Sequence, residues 1–224
     1  MNITNPLRCA PSTDRAVRPP APALLPLLLL LLTSAPVPTR AADLFVETSP
    51  PGWTNWIAFT WGPEWGDYDN DGYLDVFMAR SLTIDVTGAA TNLVYHNNGD
   101  GSFSQRLAPE IGPIASDRDV SVDGCWADAN NDGYLDLLVV NEVDIAAGMS
   151  LVPARLYMNR GNGTFTSVAA GALTRPHFAF GNGGWCDYDN DGWLDAFLCA
   201  AWGGNTHNTN VLVHGKGDGT FDLV

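Results

Sequence analysis

The chain has 224 residues, enough for one or two ordinary domains, with 25 acidic residues against 11 lysines and arginines and a formal net charge of −14. One acid and four of the arginines fall within residues 1–42, so the remainder sets 24 acids against 7 basic side chains. This balance argues against nucleic acid, because the cations that neutralise phosphates are missing, and equally against docking on an anionic membrane surface.

Residues 1–42 read as a cleaved secretory signal. Arg8, Arg15 and Arg18 make a long basic leader, an apolar stretch over 21–32 follows, and small residues lead to Ala41 and Ala42. Twelve apolar residues are too few to span a bilayer, and no membrane span is expected after the signal is removed. The expected location is secreted, extracellular or periplasmic. Three cysteines then remain, Cys125, Cys186 and Cys199. An odd number at irregular positions is no disulfide framework, so burial as small apolar residues is expected.

Beyond residue 42 the chain repeats itself. A strand at 43–48 stands ahead of the first repeat. Segments 65–75 (WGDYDNDGYLD), 126–136 (WADANNDGYLD) and 185–195 (WCDYDNDGWLD) align without gaps, with their first aspartates 61 and 59 residues apart. A second motif follows each: 95–103 (YHNNGDGSF), 157–165 (YMNRGNGTF) and 213–221 (VHGKGDGTF). Each repeat reads as four strands. The first ends in the tryptophan, and the second is an apolar run (74–79, 135–140, 194–200). The third enters the Gly-x-Gly turn, and the fourth leaves it at Phe103, Phe165 or Phe221. The expected fold is all-β, with three four-stranded β-propeller blades at about 43–105, 106–167 and 168–224.

The aspartate loops have metal-ligand spacing. Carboxylates at positions 1, 3 and 5 converge on a hard cation, and glycine at position 6 permits the sharp turn. The bidentate acid that a helix–loop–helix calcium site places at position 12 is absent, and an aspartate at position 9 replaces it. The first predicted site uses Asp67, Asp69, Asp71 and Asp75 with the Tyr73 carbonyl. The second uses Asp128, Asn130, Asp132 and Asp136 with the Tyr134 carbonyl. The third uses Asp187, Asp189, Asp191 and Asp195 with the Trp193 carbonyl. All-oxygen ligands favour calcium over zinc or copper, so about three calcium ions are expected, the weakest at the second site, where Asn130 removes a charge.

These two motifs together resemble the FG-GAP, or VCBS, repeat, and the resemblance covers nearly all of residues 43–224. It implies a seven- or eight-bladed, calcium-bearing propeller used in adhesion or ligand binding. Repeat two departs from the pattern at Asn130. Repeat three departs at Gly215, where the others have Asn97 and Asn159. Three blades do not close a ring, so the sequence is expected to be the N-terminal part of a longer protein, with 43–48 supplying the strand that closes the last blade.

In such a meander the aspartate loops and Gly-x-Gly turns share one face, and loops of unequal length occupy the other, where recognition is expected. Trp53, Trp56 and Trp61 there either pack inside the propeller or stack on a ligand. Trp65, Trp126 and Trp185 occupy equivalent places and are expected in the core. No catalytic motif occurs. His96 and His214 align with Met158, which suits a tolerant strand position; His177 and His207 read as surface residues. Asn162 begins a glycosylation sequon, but Asp100 and Asp218 stand in the same place, so a turn role suffices. The reading is a non-catalytic, exported calcium-binding module for a glycan or protein ligand. The alternatives are a structural spacer, and part of a propeller polysaccharide lyase or hydrolase whose catalytic residues lie outside this chain.

Overall fold

A computed structural model describes residues 58–83, 90–144, 150–175, 180–200 and 209–224. The signal segment, the strand expected at 43–48, Trp53, Trp56, His177 and His207 lie outside the described residues. Everything described belongs to one compact unit, Glu47–Val224.

In chain order the first repeat contains β1 (Ala58–Gly66), β2 (Asp75–Thr83), the two-residue β3 (Ala90–Thr91), β4 (Leu93–Asn97) and β5 (Phe103–Arg106). One helical turn, α1 (Ala108–Ile111), and a 3-10 turn, Pro113–Ala115, lead to β6 (Arg118–Asp119). The second repeat contains β7 (Ser121–Ala127), β8 (Asp136–Asn141), β9 (Val143–Asp144), β10 (Ser150–Leu151), β11 (Arg155–Asn159) and β12 (Phe165–Val168). The third contains β13 (Phe180–Cys186), β14 (Asp195–Ala200), β15 (Val211–Gly215) and β16 (Phe221–Leu223). The result is three four-stranded antiparallel sheets, β1-β2-β4-β5, β7-β8-β11-β12 and β13-β14-β15-β16. The all-β expectation is met, with one four-stranded sheet to each repeat.

The three blades keep one register. Gly66 pairs with Asp75, Ala127 with Asp136 and Cys186 with Asp195, so each aspartate loop hangs from the same rung. Each first strand lies at the edge of its sheet and carries a bulge; in β1 this falls beside Pro63, a residue without an N–H to give the ladder.

Packing explains why the second strands read as unbroken apolar runs. Every residue of β8 is buried. Leu137 and Val139 face the layer between blades one and two, with Phe77, Val94, Tyr157 and Phe165. Leu138 and Val140 face the layer between blades two and three, with Leu156, Leu198, Val213 and Phe221. A strand buried on both faces needs no polar alternation, and each fully buried leucine or valine contributes roughly 1.5–3 kcal/mol relative to exposure. The helical turns that follow β5 add Ile111 and Ile114 to the first layer.

Two expectations need correction. Trp126 and Trp185 key into the preceding blade, their indole N–H groups donating to the carbonyls of Glu64 (3.3 Å) and Cys125 (3.0 Å). Trp65, in the equivalent place, is 50% exposed, resting edge-on against Phe103 instead. It has no described blade ahead of it to enter. Cys125 packs against the core, where burial pushes its thiol well above the usual range, but Cys186 is exposed. At the other end Phe197, 40% exposed, takes the place at which Phe77 and Leu138 meet the next blade.

Candidate metal centres

The three aspartate loops fold alike because their own side chains fix them. The first aspartate of each accepts two backbone N–H groups: Asp67 from Asp71 (3.0 Å) and Gly72 (2.9 Å), Asp128 from Asp132 and Gly133 (2.8 Å each), Asp187 from Asp191 and Gly192 (3.1 Å each). The fifth-position aspartates, Asp71, Asp132 and Asp191, cap the N–H groups of Tyr73, Tyr134 and Trp193 at 2.8–3.0 Å. Asn70, Asn131 and Asn190 stand at φ 59–60°, and Gly72, Gly133 and Gly192 follow at φ 90–91°. Asparagine and glycine are the residues that accept this left-handed backbone most readily.

The ninth-position aspartates are the most enclosed. Asp75, Asp136 and Asp195 are each 0% exposed. Each carboxylate bridges two parts of its blade. Asp136 accepts N–H groups from Ala129 (3.0 Å) and from Asn159 of β11 (2.8 Å); Asp75 does so from Tyr68 and Asn97, and Asp195 from Tyr188 and Gly215. The Gly-x-Gly turn is thereby tied to the aspartate loop, and the two do share one end of the blade. Tyr73, Tyr134 and Trp193, whose carbonyls complete the expected ligand sets, lay their rings over Gly99, Gly161 and Gly217 of that turn. A side chain at any of these glycines would strike the ring.

Burial pushes the Asp75 carboxyl up to about 6 and that of Asp136 up to about 7, against the N–H bonds that pull the other way. The Asp69 carboxyl is raised by burial and by the neighbouring Asp71. Ligand atoms of Asp67, Asp69 and Asp75 lie within 4.8 Å of one another, as do those of Asp187, Asp189 and Asp195. Two ionised carboxylates roughly 5 Å apart repel by about 3 kcal/mol at an effective dielectric near 20. Asp69 Oδ1 is shielded from solvent and makes no hydrogen bond. In the second loop Asn130 relieves part of this crowding, its amide donating to Asp132 Oδ2 at 2.9 Å. The acids brought together in the first and third loops could hold a metal ion.

Two histidines belong to this picture, and sequence alignment passed over them. His96 Nδ1 lies 3.3 Å from Asp69 Oδ2 and 3.2 Å from Asp75 Oδ1. His214 Nδ1 lies 3.4 Å from Asp189 Oδ2 and 3.2 Å from Asp195 Oδ1. The Asp-x-Asp spacing carries no hint of them, because they arrive from a strand more than twenty residues on. Met158, which broke the alignment, instead packs against the core layer between blades two and three. The other motif residues behave as turn formers: Asp100, Asn162 and Asp218 each accept the N–H and hydroxyl of the residue two ahead.

Stacked four-stranded blades, each with an acidic loop between its first two strands, define an all-β repeat protein. The family model of the FG-GAP-like repeat matches residues 67–139 and 142–198, more than half of the chain, and the chain belongs to that family. The comparison with curated proteins finds no match. Among the described residues no helix is long and apolar enough to cross a membrane.

Proposed function

We propose that the chain is an exported, calcium-binding blade module that presents its variable loops to an extracellular glycan or protein, with calcium acting chiefly as a structural ion. The observation that carries the metal half of this reading is Asp136. It is a fully enclosed carboxylate, raised by burial and by the charges of Asp132 and Asp128, with no basic side chain in ion-pairing distance among the described residues. A cation held by Asp67, Asp69, Asp71 and Asp75, and by the corresponding residues of the other loops, would neutralise the repulsion and lock each loop to its Gly-x-Gly turn. Calcium supplies charge and six to eight flexible oxygen bonds and nothing redox-active.

The binding half rests on family membership. The cleft beside Tyr68, Asp69 and Arg106 has a volume of about 140 Å³, less than the roughly 300 Å³ at which small-molecule pockets begin.

Calorimetric titration of the chelator-treated chain with calcium, with melting curves beside it, tests the reading. Three ions per chain and a rise in melting temperature support it, both reduced in an Asp67→Ala, Asp187→Ala variant. A folded chain that takes up no calcium overturns it. Glycan and protein arrays probed with the calcium-loaded chain test the partner; no capture on either would leave a structural spacer.

A further inference from the structure

We infer that His96 and His214 are metal ligands, so that the first and third loops are mixed nitrogen–oxygen sites able to take a first-row transition cation, while the second is an oxygen-only site. The inference rests on the calcium reading of the same loops.

Three observations converge on it. First, the same arrangement is built twice: in each case an imidazole Nδ1 stands 3.2–3.4 Å from the third- and ninth-position carboxylates. Second, both Nδ1 atoms are shielded from solvent, yet neither forms a hydrogen bond with either oxygen. A ring N–H serving only as counter-ion would point at one of them. Nitrogen and oxygens instead surround a common space, and ligand atoms of Asp69, Asp71 and His96, and of Asp189, Asp191 and His214, all lie within 4.8 Å of one another. Third, the second blade lacks the device: Met158 stands there, with its Cε beside Gly219 of the third blade.

Imidazole contributes little to calcium, which is hard and prefers oxygen, but much to cobalt, nickel and zinc ions. The two kinds of site therefore differ in selectivity more than in calcium affinity. Loss of an outer partner of a metal ligand costs roughly 10–100-fold in affinity, so loss of the ligand itself is expected to cost at least about 10-fold.

Cobalt(II) is the probe, added to the full chain after chelator treatment. Ligation through Nδ1 leaves the Nε2–H in place, and paramagnetic cobalt shifts that exchangeable proton far downfield in the proton NMR spectrum. Two such resonances are expected, one lost in His96→Asn and the other in His214→Asn, with cobalt affinity reduced at least about 10-fold at the altered site. Resonances that survive both substitutions belong to other histidines. Circular dichroism and melting curves establish that each variant is folded. Calcium uptake without shifted ring protons, or cobalt affinity indifferent to both substitutions, overturns this inference and leaves the calcium reading standing. A folded chain that binds neither ion overturns both.

Discussion

The side-chain amide of Asn70, in the first aspartate loop, donates to the carbonyl of Gly133 in the second, 3.1 Å away. Asn131 repeats the contact with Gly192 of the third loop, also at 3.1 Å. Neighbouring loops are thus joined directly, at the position whose left-handed backbone asparagine tolerates. Asn70→Gly and Asn131→Gly keep that backbone and delete the amide. Each is expected to cost about 0.5–1.5 kcal/mol, the worth of one hydrogen bond, measured by urea unfolding. If the loops fill with calcium in concert, the same variants will broaden the calorimetric titration.

Asp136 should be the least replaceable of the aspartates. Asp136→Ala strands the N–H groups of Ala129 and Asn159 inside the blade, at about 1–3 kcal/mol each. Destabilisation is therefore expected with chelator as well as with calcium. Asp69→Ala, which removes a carboxylate whose Oδ1 has no hydrogen bond, is expected to lower stability in calcium and to change it little, or raise it, in chelator. Melting curves for both variants in both buffers separate the two roles.

In chelator, stability should fall as pH rises from about 4 to 7. Burial pushes Asp75 up to about 6 and Asp136 up to about 7 in the fold, above the ordinary carboxylate range, and raises Asp123 and Glu64 as well. The folded chain then holds more protons than the unfolded one between these limits, so each step up in pH favours unfolding. Saturating calcium reverses the slope, because the ion competes with the same protons. Chemical denaturation at several pH values, with and without calcium, checks both signs.

The two kinds of tryptophan should answer differently to truncation. Trp126→Ala removes the contacts with Tyr68 and Phe77 and the hydrogen bond to Glu64, for about 3 kcal/mol. Trp65→Ala removes a ring half exposed to solvent and is expected to cost under about 1 kcal/mol. Parallel urea unfolding of the two variants measures the difference.

The aspartate loops could be found in the sequence because their geometry is local: the residues that bend the loop are the ones that line it, all within nine positions. The blades could be found for a related reason, since the double-sided burial of β8 leaves an apolar run that no surface strand would carry. His96 and His214 could not. Their place depends on β4 lying beside β2, and β15 beside β14, and alignment down the repeats compared them with Met158 rather than with the carboxylates across the sheet. The exposure of Trp65 was hidden for another reason. Repeat position tells what a residue is shaped to meet, not whether a neighbour is there to be met.

The keyed tryptophans have a consequence for how such a chain can change over generations. Trp126 and Trp185 each donate to the blade before, and Asn70 and Asn131 each donate to the blade after. A blade therefore meets its neighbours through two standard faces, one to receive and one to insert. Copying a single stretch of the 59–61 residues that separate the loops delivers a unit already cut to fit at both joints. Gene duplication can lengthen the array without redesigning any interface.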